Sequence, residues 1–197
     1  MLLPNRTVLY VLIFVVLFFL TVDIITLLMR GPNFDVVYYD SDIFSDYSKI
    51  ATITTVSGLK FKSEKKESEY INTYKETSKE TFEKYFSQVS KEIGKDIKVL
   101  DVDFSWRKRE GILEITEKVT LSGLVQNEII GGKEIYILDM GKVKMNAIGN
   151  ANLKVHLPDD AVLITVEPTP TTQSMNFVVW SGNDILYFPE IKYKRGE

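Results

Sequence analysis

Asp101 and Asp103 stand two residues apart in IKVLDVDFSWRKR, so an extended chain turns both carboxylates to one face. Paired carboxylates are the raw material of general acid–base hydrolysis. Alternation alone, however, creates such pairs on any solvated strand. Glu110, Glu114 and Glu117 supply a second acidic group of the same kind. His156 is the only histidine, and it shares its strand phase with Asn152 and Lys154. A solvent-facing, hydrogen-bonded imidazole is the expectation, with a general base as the alternative. Trp106 and Trp180 offer flat rings for a sugar or peptide, although aromatic residues on strands more often cover a sheet.

Other chemistries find no support in the residues. There are no cysteines, which excludes disulfides, thiol nucleophiles and thiolate metal sites. Neither a G-x-S-x-G elbow nor a phosphate-binding glycine loop occurs, and Gly131-Gly132-Lys133 is too short to cradle phosphate. Asp40, Asp42 and Asp46 have a calcium-like spacing. A loop starting at Asp40 would place Ser45 and Ala51 where calcium loops need Gly and Glu. No metal or other cofactor is expected. The net charge of −3 gives no field for nucleic acid.

The elements that would position these groups follow from periodicity. Residues 47–63, rich in β-branched side chains, predict a strand with a bend at Gly58. Residues 64–96 predict one long helix. Ile71, Tyr74, Ser78, Phe82, Tyr85, Val89 and Ile93 form its stripe, Ser63 its cap and Gly94 its end. A core-facing stripe is preferred over a coiled-coil seam. After Asp96 the period falls to two. Leu100, Val102, Phe104 and Trp106 fall on one face, and a turn at 108–111 leads to a partner carrying Leu113, Ile115, Val119 and Leu121. Further strands are expected around Ile135, on either side of Pro158-Asp159-Asp160, and on either side of residues 181–184. The fold class is α+β: a mostly antiparallel sheet with one long amphipathic helix packed on it.

The N-terminal end has a different character. Between Val8 and Leu28 stand 17 Val, Leu, Ile and Phe residues and one charge, Asp23. As a helix, residues 7–29 would reach about 34 Å, enough for the roughly 30 Å of bilayer hydrocarbon. The apolar residues favour insertion by about 5–10 kcal/mol, against about 2.5–3.5 for one central Asp. The run is too long for a cleaved leader, and LLMRGPNF lacks a small-residue cleavage pattern. An uncleaved anchor is expected, with the lipid bilayer as its partner. Arg6 and the α-amino group precede the run, and Arg30 followed by Asp35, Asp40, Asp42 and Asp46, with no further Lys or Arg before Lys49, comes after it, which favours the N-terminus inside and the domain outside the cytoplasm. Asp23 is read as tolerated near the outer interface. A contact from Asp23 to a membrane protein partner is the alternative. The expected organisation is a tail at 1–6, an anchor at 7–29, an acidic and aromatic spacer at 30–48 and a domain at 49–197.

In the C-terminal third, LKVHLPDDAVLITVEPTPTTQSMNFVVWSGNDILYFPEIKY carries Leu157, Pro158, Ala161, Pro168, Pro170, Trp180, Gly182 and Pro189 in a recurring order of strands and turns. This pattern resembles a family of membrane-anchored exported domains of thermophilic bacteria and archaea, a domain of unknown function. The abundance of Lys, Glu and Ile is compatible with such a source. The resemblance implies an anchor and a β-rich domain, but no activity and no site residues. The function expected is therefore a tethered, non-enzymatic extracytoplasmic domain for interaction or sensing. A surface hydrolase using acidic residues and an accessory subunit of a membrane complex are the alternatives.

Overall fold

The computed structural model describes residues 34–75, 79–141, 150–185 and 187–196. Among them no helix is long and apolar enough to cross a membrane. The expected anchor and Asp23 lie outside the described residues.

Among the described residues, eleven strands and two α-helical segments make an α+β fold. The strands are β1 (Phe34–Ser45), β2 (Ile50–Phe61), β3 (Lys98–Arg109), β4 (Ile112–Ser122), β5 (Val125–Ile130), β6 (Lys133–Leu138), β7 (Ala151–His156), β8 (Ala161–Glu167), β9 (Thr172–Gln173), β10 (Phe177–Ser181) and β11 (Glu190–Arg195). Helices α1 (Glu64–Lys75) and α2 (Lys79–Ile93) separate β2 from β3. The strands form two sheets rather than the single one expected. Sheet A has the order β3-β4-β2-β1-β7-β10-β9, and sheet B the order β5-β6-β11-β8. Pairing is antiparallel except between β1 and β7.

The segment expected as a membrane-proximal spacer is the main correction. Residues 34–45 are not a spacer but β1, flanked by β2 and β7 inside sheet A. Beyond a bulge between Val36 and Tyr38 it alternates: Tyr39, Ser41, Ile43 and Ser45 are buried, while Asp40, Asp42 and Phe44 take the opposite face. Two small serines on the buried phase hide this pattern from a reading that counts only apolar residues. Residues 34–45, placed before the expected domain start at residue 49, thus belong to the domain.

Where one long helix was expected over residues 64–96, the described residues form α1 and α2, and residues 76–78 between them lie outside the described residues. Tyr70 and Tyr74 of α1 join Phe34, Leu59, Leu113 and Ile115 in one apolar cluster. From α2, Phe82, Tyr85, Phe86 and Val89 join Ile53, Val119 and Leu121 in the larger one. Each such side chain contributes about 1.5–3 kcal/mol by leaving water. Glu117 is buried on β4 between the parts that serve the two clusters, so the core has a polar seam there. Sheet B packs on the same side of sheet A, with Leu138, Ile191 and Tyr193 in the larger cluster. Ser45 Oγ donates to the Tyr193 hydroxyl at 2.7 Å, which donates in turn to the Asp46 carbonyl at 2.9 Å.

The β3–β4 hairpin forms as expected, with Arg109 opposite Ile112. Its two-residue turn uses Glu110 and Gly111, both at positive φ (51° and 78°), as hairpin twist demands. One expected position differs. A bulge between Val99 and Asp101 shifts the phase, so Val99 packs inward and Leu100 is exposed. The Leu100 carbonyl accepts from Lys79 Nζ at 2.8 Å.

Candidate interaction surface

Strand pairing aligns the side chains of sheet A that point away from the helices and sheet B. One row runs Asp101, Thr120, Thr52, Phe44, His156, Phe177 across six strands. The next runs Asp103, Lys118, Thr54, Asp42, Lys154, Val179. A third runs Ser105, Thr116, Val56, Asp40, Asn152, Ser181. This open face therefore collects most of the polar residues singled out from the sequence.

His156 lies on this face between Phe44 and Phe177. Its ring stacks on Phe44 at 4.3 Å between centroids, within 7° of parallel, and it meets Phe177 at 4.9 Å. Its Nε2 lies 2.9 Å from Asp42 Oδ1. Neighbouring Asn152 donates to Asp40 at 2.8 Å and accepts from Ser181 Oγ at 2.8 Å. Asp40 and Asp42 thus serve cross-strand hydrogen bonds. The Ser181 hydroxyl on this face is engaged by Asn152.

Farther along, Tyr38 crosses β2 to donate to Glu114 Oε2 at 2.6 Å, and Arg107 Nε pairs with Glu114 Oε1. The Tyr38 hydrogen bond, with Arg107 second, holds the Glu114 carboxyl below its usual range. Burial and the Glu114 contact together push the Tyr38 phenol up to about 12. This reach depends on Gly58, where a Cβ would sit 2.3 Å from Tyr38 Cε1.

The remaining expected groups are scattered. Asp101 and Asp103 are exposed on β3, with Thr120 and Lys118 opposite. Glu110 lies in the hairpin turn, and Asp46 in the β1–β2 turn, where it accepts from the Ser48 amide at 2.7 Å. Glu117, expected as a surface carboxylate beside Glu110 and Glu114, is on the opposite, buried face. The Tyr74 hydroxyl donates to it at 3.5 Å, and burial followed by the Glu117 charge raises the Tyr74 pKa. Trp180 is a core residue whose Nε1 donates to the Pro168 carbonyl at 3.0 Å. Trp106 is 39% exposed on β3, edge-on to Tyr74 and beneath Lys75. Among the described residues, no group of three or more His, Asp or Glu side chains is placed to hold a metal ion.

Phe44, Phe177 and Tyr38 are the surface residues missed by sequence reasoning. Tyr38 and Phe44 come from β1 and Phe177 from the distant β10, and the one signal available was the period-two phase that Tyr38 and Phe44 share with Asp40 and Asp42.

Comparison with known proteins adds the family. No curated protein matches the chain significantly in sequence. Among solved structures, it is similar to the folded domain of LppM from Mycobacterium tuberculosis, determined by NMR. The two share 11% identity with a TM-score of 0.41, over 86% of this chain and 94% of that one. The profile of a domain of unknown function covers residues 34–194, from the first residue of β1 to the last strand, and the chain belongs to that family, DUF4897.

Proposed function

We propose that residues 34–194 form a non-enzymatic interaction domain, tethered through residues 7–29 to a membrane and displayed outside the cytoplasm. The observation that carries this reading is the open face of sheet A, which presents aligned rows of Asp, Lys, Thr and aromatic side chains on six strands. Rigid strands hold such a face without an ordering cost on binding, which suits recognition of another surface. The same geometry weighs against a hydrolase. Glu114 is committed to Tyr38 and Arg107, Glu117 to the core, and Asp42 to His156.

The tether rests on the apolar run, and its length favours a span over a leader. In this reading Asp23 is tolerated near the outer end. Asp23→Leu should leave membrane insertion and partner recovery unchanged. A partner lost with insertion intact would instead favour the accessory-subunit reading, in which Asp23 makes an intramembrane contact.

Because the chain has no cysteine, single-cysteine variants of the full chain test the proposal in intact cells. Thr54→Cys lies on the open face and Lys91→Cys on the exposed side of α2. Both should react with a membrane-impermeant maleimide, and a cysteine-directed photocrosslinker should give discrete adducts only from Thr54→Cys. Protection of both sites from the reagent would place the domain inside. Adducts from Lys91→Cys alone would move the contact surface to the helices.

A further inference from the structure

We propose that β3 is a homodimerisation edge, along which a second copy of this chain pairs antiparallel about a two-fold axis at Ser105. β3 is the terminal strand of sheet A and is exposed along most of its length. An edge strand leaves alternate backbone N–H and C=O groups unpaired and can template another strand. Its charges decide which strand fits.

On the open face, β3 carries Asp101, Asp103, Ser105, Arg107 and Arg109 in that order. The first half is acidic and the second basic, with a small neutral residue between. In an antiparallel pair centred on Ser105, Asp101 faces Arg109 of the second copy and Asp103 faces Arg107. The two-fold repeats both pairs, so the interface contains four opposite-charge pairs. Moving the axis by one residue in either direction, to Phe104 or Trp106, keeps only one such pairing per half. A shift of the axis to either residue is therefore selected against by charge.

The opposite face agrees. Centring on Ser105 sets Phe104 against Trp106 of the second copy, twice over. Trp106 is 39% exposed in the single chain and would gain an aromatic neighbour across the strands. The ionic groups are accessible as well. Among the described residues Asp101 and Asp103 form no ion pair, and the Arg107 and Arg109 side chains are 70% and 75% exposed. Arg107 uses Nε on Glu114, but a guanidinium has five N–H donors and is not exhausted by that contact. The limits of the pairing are also built in. The bulge at Leu100, its carbonyl bonded to Lys79, closes one end, and the Glu110-Gly111 turn closes the other. An acidic half followed by a basic half repels an in-register parallel copy and attracts an antiparallel one.

The test uses the full chain in detergent micelles. Asp101→Arg/Asp103→Arg makes the edge wholly basic, and Arg107→Asp/Arg109→Asp makes it wholly acidic. Wild type should sediment as a dimer. Each double variant alone should dissociate at least tenfold more readily, and an equimolar mixture should recover a heterodimer. Ser105→Cys should crosslink between copies under mild oxidation while Lys91→Cys does not. This crosslink decides the matter even if a charge variant misfolds, as judged by circular dichroism. The proposal is overturned by a monomeric wild type, by folded charge variants that dimerise as wild type does, by a folded mixture that fails to pair, or by equal crosslinking at both cysteines.

Discussion

Gly58 and Tyr38 show how one residue sets another's chemistry. With no Cβ at residue 58, the Tyr38 ring lies across β2 and its hydroxyl reaches Glu114. Gly58→Val would displace that ring and should cost about 1–3 kcal/mol in overpacking, read as a lower thermal midpoint of the detergent-solubilised chain. The carboxylate has a pH signature. Its folded pKa is depressed below the ordinary 4.5 by Tyr38 and Arg107. The resulting stabilisation is fully present above the unfolded value and is lost as pH falls through the folded one. Denaturation of wild type and Glu114→Gln should therefore differ by a constant amount from pH 7 to about 5 and converge in more acidic solution. A gap that widened on acidification would exclude this coupling.

Among the elements, the β3–β4 hairpin has a local weak point. Glu110 adopts φ 51°, a region that Asn and Gly tolerate better than Glu. Glu110→Asn should stabilise the chain by about 0.5 kcal/mol, seen as a higher midpoint in chemical denaturation. This hairpin was legible in the sequence because strict alternation and a Gly turn agree. β1 was not, because Ser41 and Ser45 occupy buried positions and the acidic residues dominate the impression. Of the expected helical stripe, Tyr74, Phe82, Tyr85 and Val89 are buried as read, while Tyr70 and Phe86, also buried, stood outside it. Of the open face, Asp42 and His156 each stood out alone. Their pairing needed the parallel β1–β7 contact, which joins segments more than 100 residues apart and leaves no local trace. The charge order of β3 was visible throughout. That β3 is an edge was not.

At the scale of the whole molecule, sheet A depends on β1. Its neighbours are β2, from the strand–helix part of the chain, and β7, from the C-terminal part. It supplies Asp40, Asp42 and Phe44 to the open face and Tyr39 and Ile43 to the core. Without it, β2 and β7 would each expose an unpaired edge, and the rows that define the surface would be broken at their centre. The most direct measurement compares two fragments, 34–197 and 48–197, by calorimetry and circular dichroism. The account predicts one cooperative transition for 34–197 and no cooperative transition for 48–197. A cooperative transition of 48–197 at the same temperature would contradict it.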